Sequence, residues 1–186
     1  QPDWQNGWSE NLQEFLETQD VDSLVPKYIR PGGIVRLFGD YAQPVDKFFE
    51  KQYAAIFRAW LVEKFFADVD GVYEFGCGPA SHLAYIAQVH PGQKLFGLDW
   101  AQASVDIASA LKAQMGWPIE GQRFDFFNPS PGYNLIDNAA VLTFGALEQV
   151  GNQHQSFIDY LIKQRPKRVV HVEGIEIEPG LRYGAM

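Results

Sequence analysis

Two glycines and one acid stand where a chain could hold a nucleotide-like ligand. Gly76 and Gly78 follow the apolar run 71–75, and a helical pattern begins directly after them. Glycines at such a turn let backbone amides approach a ligand, because a Cβ there would block the approach. A second apolar run, 94–98, ends in Asp99, and an acid at that distance lies where ribose hydroxyls would bind. The spacing therefore predicts a nucleoside-binding loop.

The elements that must position these residues alternate along the chain. Apolar runs predict strands, and the segments between them have helical spacing. The predicted strands cover 71–75, 94–99, 122–126, 138–143 and 168–173, and the predicted helices cover 81–89, 101–115 and 153–164. This alternation predicts an α/β fold with a doubly wound, mainly parallel sheet and helices on both faces. Such sheets bind ligands at the carboxyl ends of the strands, near the point where the strand order reverses.

The first part of the chain has a different character. Residues 1–43 form a leader rich in Trp, Tyr, Pro and Gly, and we expect a lid or substrate segment there, ahead of a core at 44–186. Ser9 is expected to cap a short helix that ends near Thr18. A long amphipathic helix is expected over about 44–67. Its apolar face is formed by Val45, Phe49, Tyr53, Ile56 and Trp60.

Bulk properties exclude several classes of function. The 186 residues are 46% hydrophobic and 15% aromatic, which predicts a folded core. A formal net charge of −8 argues against nucleic acid as the main partner, because phosphate binding needs a basic face. One cysteine excludes an internal disulfide and fits a reducing, cytoplasmic compartment. No apolar run reaches the roughly 20 residues of a membrane helix, so no membrane partner is expected.

The segment Glu74–Gly78 resembles the first motif of class I S-adenosylmethionine-dependent methyltransferases. Asp99 matches the acid that holds the ribose diol in that family, and Trp100 stands where a side chain often packs on adenine. Asp125 and Phe126 are similar to the acid and apolar pair that contacts adenine after the third strand. The resemblance implies a Rossmann-like fold and methyl transfer.

Further landmarks agree in order, with two departures. Residues 141–150 resemble the fourth strand of that family and the helix after it. Ala80 replaces the third glycine of the first motif. Many relatives carry Glu-His where this chain has Glu148 and Gln149, so a His base is absent at that place. The resemblance covers roughly residues 71–173.

The resemblance implies S-adenosylmethionine as the cofactor and S-adenosylhomocysteine as its product. The implied cofactor-binding residues are Glu74, Gly76, Cys77, Gly78, Asp99, Trp100, Asp125 and Phe126. The backbone amides of Gly76 to Gly78 would receive the cofactor's carboxylate, and Glu74 would orient the loop or meet the ammonium through water. No catalytic residue is assigned, and no residues have convincing metal-ligand spacing.

Other polar residues receive structural interpretations. His82 is expected to be a surface or capping residue, and His171 a strand histidine with a satisfied hydrogen bond. Glu173 ends the fifth predicted strand and could face a small-molecule substrate. The family often uses N-terminal segments as lids, and Trp8 and Tyr28 belong to such a segment here. This leader is similar to proteins of bacterial surface-sugar gene clusters, which suggests a sugar hydroxyl as the acceptor.

Two other functions stay open. A nicotinamide-dependent oxidoreductase would also use Asp99 on a ribose, although Ser81 stands where its fingerprint needs a final glycine. A non-catalytic, methyltransferase-like binding domain is the other. Residues 174–186 are too few for the helix and strands that usually complete such sheets, so C-terminal strands are expected to be missing. An open edge at the fifth strand would favour a homodimer through that edge.

Overall fold

The computed structural model describes residues 2–37 and 39–174. Its helices are α1 (Pro2–Thr18), α2 (Phe49–Phe66), α3 (Ser81–Val89), α4 (Gln102–Met115) and α5 (Gln155–Gln164). Its strands are β1 (Val35–Leu37), β2 (Asp40–Ala42), β3 (Gly71–Phe75), β4 (Lys94–Asp99), β5 (Ile119–Arg123), β6 (Ala139–Phe144) and β7 (Arg168–Val172). Phe38, expected in the leader, and the stretch 175–186, expected to lack the closing strands, lie outside the described residues.

Strands β3 to β7 form one parallel sheet in the order β5-β4-β3-β6-β7. The chain runs outward from β3 through β4 to β5, and it then returns to the other side of β3 with β6 and β7. Glu74 on β3 pairs with Gly97 on β4 and with Leu142 on β6. The strand order thus reverses at β3, and the prediction of a doubly wound parallel sheet is confirmed. Ligand binding is expected beyond the carboxyl end of β3.

The central strands send alternate side chains to opposite faces of the sheet. Val72 belongs to a core that also contains Phe15 of α1 and buried residues of α2, α3 and α4. Tyr73 and Phe75 belong to a second core, which α5 covers with Phe157. Helices therefore pack on both faces, as predicted. Helix α1 also packs against α4, so part of the leader contributes to the main core.

The third strand of the sheet lies earlier than the sequence indicates. It covers Ile119–Arg123, not 122–126, because its pairing with β4 places Ile119 opposite Leu95. Gly121 lies beneath α4, where a Cβ would be 2.7 Å from the carbonyl oxygen of Val105. A glycine inside a strand weakens the sequence signal while permitting this close packing. As a consequence, residues 125 and 126 lie in the loop after the strand.

Two expected helix starts are wrong. Ser9 lies inside α1, where its hydroxyl donates to the carbonyl oxygen of Gln5 at 2.7 Å, so it does not cap a helix. Helix α2 begins at Phe49 instead of residue 44, because Asp46 accepts a hydrogen bond from the backbone N–H of Phe48 in a turn. Local side-chain bonds of this kind compete with helix formation.

Helix α2 also buries a different face from the expected one. Tyr53, Ile56 and Trp60, which were predicted to face the core, are 56%, 72% and 50% exposed. The buried residues are Leu61, Val62 and Phe66, near the end of the helix. Aromatic rings at successive turns, such as Tyr53 and Phe57 at 6.4 Å, stack on one another along the exposed face. The apolar spacing in this segment therefore indicates an aromatic surface.

Candidate functional site

The loop between β3 and α3 needs its glycines. Gly76 and Gly78 have φ values of +72° and +51°, in the left-handed region that disfavours side chains. A Cβ on Gly76 would collide with the Cβ of Ala146, and one on Gly78 would lie 3.0 Å from the indole of Trp8. Ala80 shares this left-handed geometry, with φ of +55°, at the position of the missing third glycine. The loop is thus tightly enclosed by the segment after β6, through Ala146, and by α1, through Trp8.

The amides of this loop are already bonded within the protein, which corrects one expectation. The N–H groups of Gly76 and Cys77 donate to the carbonyl oxygen of Leu98 at 2.6 and 3.2 Å. The N–H of Gly78 donates to Asp99 Oδ2 at 2.9 Å. These amides therefore do not receive a ligand carboxylate in this geometry. Helix α3, in contrast, begins without a side-chain cap, so N–H groups of its first turn remain available to an anion.

Asp99 lies at the end of β4 and is only 4% exposed. Besides the bond from Gly78, its Oδ1 accepts a hydrogen bond from the N–H of Ala101 at 2.9 Å. Burial raises the pKa of Asp99, and these backbone hydrogen bonds oppose the rise. The Ser104 hydroxyl also opposes the rise in pKa. An ionised carboxylate has about four acceptor positions, so about one or two stay open for hydroxyl groups of a ligand.

Glu74 and His82 form a pair at the end of β3. Glu74 is 1% exposed, and its Oε1 lies 2.7 Å from Nδ1 of His82. The imidazole also stacks on Phe144 at 4.6 Å, so the interpretation of His82 as a surface or capping residue is wrong. The other oxygen of Glu74, Oε2, is buried and has no hydrogen-bond partner among the described residues. A buried acceptor of this kind is costly unless a ligand supplies a donor.

The remaining predicted residues surround the same space. Asp125 accepts a hydrogen bond from the N–H of Phe127 at 2.9 Å, which forms a turn after β5. Phe126 is buried against Phe157, with ring centroids 4.6 Å apart. Burial and the charge of Asp99 raise the pKa of the Cys77 thiol well above its usual value, so a nucleophilic thiolate is disfavoured.

One cavity of about 1340 Å³ joins these residues beyond the carboxyl ends of the strands. All eight predicted site residues line it: Glu74, Gly76, Cys77, Gly78, Asp99, Trp100, Asp125 and Phe126. The cavity exceeds the roughly 300–1,000 Å³ typical of ligand pockets, so it has room for more than one small molecule. Its position agrees with the switch point of the sheet.

The cavity also has walls that were not assigned as site residues from the sequence. Trp4, Arg123 and Phe144 line it, and so does His82. Phe144 ends β6, so the rule that ligands bind at strand carboxyl ends could have identified it. Trp4 and His82 gave no such signal, because their positions depend on how α1 and α3 pack.

Glu148 and Glu173 form the wall beyond β6 and β7. Oε2 of Glu173 accepts hydrogen bonds from the N–H groups of Leu147 at 3.0 Å and Glu148 at 3.3 Å. Oε2 of Glu148 accepts one from the N–H of Gly174 at 3.1 Å. His171, on β7, lies 2.7 Å from the Thr143 hydroxyl, so its expected structural hydrogen bond is confirmed. The two acids thus fix the loops that follow two strands.

The leader contributes aromatic rings to the cavity. Trp4 and Trp8 of α1 stack with centroids 5.4 Å apart, and Tyr28 meets Trp4 edge-on at 6.4 Å. All three rings line the cavity. Loss of hydration raises the pKa of Tyr28, and the charges of Glu148, Glu50 and Glu74 raise it further. The phenol therefore lies within electrostatic reach of the acidic wall.

Two other kinds of feature are absent from the described residues. Within residues 2–37 and 39–174, no group of three or more His, Cys, Asp or Glu side chains could hold a metal ion. Over the same residues, no helix combines the length and apolar character needed to cross a membrane.

No protein-family model and no curated protein matches the chain. Solved structures do match. A SAM-dependent methyltransferase from Aquifex aeolicus is 14% identical, with a TM-score of 0.51 over 67% of this chain and 68% of its own. The methyltransferase domain of bacterial CtHen1 is 18% identical, with a TM-score of 0.52 over 66% of this chain and 65% of its own.

The [4+2]-cyclase SpnF is also similar, with 18% identity and a TM-score of 0.54 over 85% of this chain and 55% of its own. The chain spans less than two thirds of the length of many structures that it matches, down to 19% for PKMT2 from Rickettsia typhi. Identities this low establish architecture and not activity. The sheet order, the glycine loop and these similarities together identify the chain as having the Rossmann-like fold of class I S-adenosylmethionine-dependent methyltransferases.

Proposed function

We propose that this chain is an S-adenosylmethionine-dependent methyltransferase that acts on a small-molecule acceptor. One fold hosts many reactions, so the proposal depends on the site and not on the fold. The observation that carries it is that Glu74, Asp99 and Asp125 line one cavity at the carboxyl ends of three neighbouring strands: Glu74 near the end of β3, Asp99 at the end of β4 and Asp125 just after β5.

The nucleoside end of the cofactor fits the half of the cavity beyond β4 and β5. Asp99 keeps acceptor positions for ribose hydroxyls, and its burial strengthens such bonds because water competes less. Trp100 and Phe126 offer apolar surface for an adenine ring, and Asp125 precedes Phe126 in the sequence. Their assignment to the cofactor is the prediction made from the sequence, and it is supported by the fact that all three line the same cavity.

Charge supports the same cofactor. Five carboxylates line the cavity, and Arg123 is the one lysine or arginine among its described lining residues. An acidic cavity favours a cationic ligand. The free N–H groups at the start of α3 suit the carboxylate of a methionine moiety. When bound, S-adenosylmethionine supplies an electrophilic methyl group on a sulfonium centre.

The chain's own residues can position an acceptor and hold a proton. Because Glu74 accepts from Nδ1 of His82, Nε2 carries the imidazole lone pair in the neutral ring. Nε2 has no hydrogen-bond partner among the described residues, and it is not buried. It can therefore take a proton from a bound acceptor. Trp4, Trp8 and Tyr28 would exclude water, which extends the predicted lid role of residues 1–43.

Calorimetric titration with S-adenosylhomocysteine tests this function. We expect binding to the wild-type chain, and Asp99→Ala should weaken it by about 1.5–3 kcal/mol, the value of hydrogen bonds to a charged group. Asp159→Ala, which removes a carboxylate on α5 outside the cavity, is the control. A thermal melt of each variant separates lost binding from unfolding. Binding of NADH in place of S-adenosylhomocysteine would instead support the oxidoreductase.

A second candidate is a reaction without methyl transfer in the same cavity. The similarity to the [4+2]-cyclase SpnF motivates it, since that fold extends over 85% of this chain. A non-catalytic binding domain would behave alike in a methyl-transfer assay. Incubation with methyl-labelled S-adenosylmethionine and an acceptor panel distinguishes the methyltransferase from both alternatives, because only a methyltransferase transfers the label to an acceptor. The sugar hydroxyl suggested by the leader stays a prediction.

A further inference from the structure

The cavity has a second half, on the other side of the switch point from the proposed nucleoside site. We call it the acceptor half and define it by five lining residues: Trp4, Tyr28, Phe144, Glu148 and Glu173. Phe144 ends β6, and Glu148 and Glu173 follow β6 and β7, whereas Asp99 ends β4 and Asp125 follows β5. A cofactor bound over β3, β4 and β5 leaves this half for another molecule.

Among residues 2–37 and 39–174, the acids of the acceptor half are fixed but no cation pairs with them. The hydrogen bonds to Glu148 and Glu173 come from backbone N–H groups and from the Gln149 amide, none of which carries a full charge. Oε1 of Glu173 is buried with no partner among the described residues. Arg123 ends β5, at the opposite edge of the sheet, so it does not face these acids. Within the described part of the chain, this wall is therefore acidic.

Glu74 leaves one acceptor unfilled near this half of the cavity. It lies at the switch point, between the two halves, and is 1% exposed. His82 occupies only its Oε1, and Oε2 remains buried without a partner. The cofactor carries one net positive charge at neutral pH, too little to balance the five cavity carboxylates even with Arg123.

The aromatic rings supply a second kind of attraction for a cation. Trp4 meets Tyr28 edge-on at a centroid distance of 6.4 Å, and both rings line the cavity with Glu148 and Glu173. The face of an indole or phenol ring attracts ammonium groups electrostatically. Aromatic rings beside carboxylates are thus suited to an alkylammonium group, and a neutral hydroxyl gains from neither charge effect.

We propose that the acceptor half binds a small molecule through a protonated amine. The proposal rests on the proposed methyltransferase function, in which this molecule is the acceptor. The ammonium is the group by which the molecule is recognised and is not itself the nucleophile, because a protonated nitrogen has no lone pair to attack the methyl group. The proposal differs from the sugar hydroxyl suggested by the sequence in the charge of the recognised group. An amino sugar would be consistent with both, because it carries an amine as well as hydroxyl groups.

Matched amine and alcohol probes test the proposal by binding. The protein is saturated with S-adenosylhomocysteine and titrated calorimetrically with glucosamine and glucose, and with benzylamine and benzyl alcohol. We expect each amine to bind at least tenfold more tightly than its alcohol. Glu173→Gln and Glu148→Gln should each reduce that ratio to about threefold or less, since Gln keeps an acceptor but loses the charge. Glu63→Gln, an exposed position on α2, is the control with the same change in net charge.

The outcomes separate this proposal from the proposed function. Equal binding of amines and alcohols overturns it, and so does a preference that survives both Gln substitutions. Failure of both amines to bind at millimolar concentration overturns it as well. Failure of S-adenosylhomocysteine to bind contradicts the methyltransferase instead, and the probe pairs are then compared on the free protein, where the same criteria apply to the amine site.

Discussion

Gly78 provides a test of how the leader packs on the glycine loop. Its φ of +51° costs an L-residue about 1–2 kcal/mol, because Cβ then approaches the following carbonyl. In addition, a Cβ would lie 3.0 Å from the Trp8 indole and within 3.3 Å of two more of its atoms. Overpacking of this kind typically costs about 1–3 kcal/mol. Gly78→Ala should therefore reduce the free energy of unfolding by about 2–5 kcal/mol.

Urea unfolding of four variants separates the two contributions. Gly116→Ala is the matched control, because Gly116 has φ of +68° but no atom within 4 Å of an added Cβ. It should lose only about 1–2 kcal/mol. Combining Trp8→Ala with Gly78→Ala should remove the contact, so the double variant should lose about 1–3 kcal/mol less than the sum of the single variants. If Gly78→Ala costs no more than Gly116→Ala, or if the double variant is additive, Trp8 does not cover the loop and the reasoning is refuted.

Three further predictions concern the core, the site and the sheet edge. Phe15→Ala should lower the free energy of unfolding, measured by urea titration, by about 3–5 kcal/mol, because Phe15 is fully buried. Leu16→Ala, at a neighbouring position that is 49% exposed, should lower it by less than about 1 kcal/mol. Similar losses in the two variants would contradict the packing of α1. Burial raises the pKa of Asp99, so this side chain should become protonated already at pH values above ~3.9, the ordinary pKa of an Asp side chain. The affinity for S-adenosylhomocysteine should therefore fall as the pH is lowered through that range. Calorimetry that shows constant affinity there would contradict the ribose assignment. The same shift gives Asp99 a stabilising contribution at low pH that is lost as pH rises through its folded-state pKa. A homodimer through β7, an edge strand of the described sheet, should double the mass seen by light scattering, and a monomer at high concentration would contradict it.

The parts of the fold with strong local signals could be predicted from the sequence. Strands β3 and β4 lie at their predicted residues, because continuous apolar runs ending in glycine or aspartate mark buried parallel strands. Strand β5 was misplaced because Gly121 hides a strand that only its pairing with β4 stabilises. The exposed face of α2 was misread because spacing indicates that apolar residues share a face, and it does not indicate what covers that face.

In the candidate site, too, local sequence signals could be interpreted and contacts between distant elements could not. Gly76, Gly78 and Asp99 could be assigned from their spacing, and Trp100, Asp125 and Phe126 from the family resemblance, and all of them line one cavity. The pairing of His82 with Glu74 could not, since it depends on how the first turn of α3 meets β3. The hydrogen bonds from the loop amides to Leu98 and Asp99 could not be predicted either, because partners that are distant in sequence leave no local pattern.

The packing of α1 against α4 has a consequence for synthesis. The ribosome makes α1 well before α4, which ends only at Met115. At about 5–20 residues per second, the interval is on the order of 5–20 s. During it, α1 emerges without the helix against which it packs. We therefore expect the apolar side chains of α1, such as Phe15, to stay accessible to chaperones until α4 is made, and the cavity lining by Trp4 and Trp8 to form only after that.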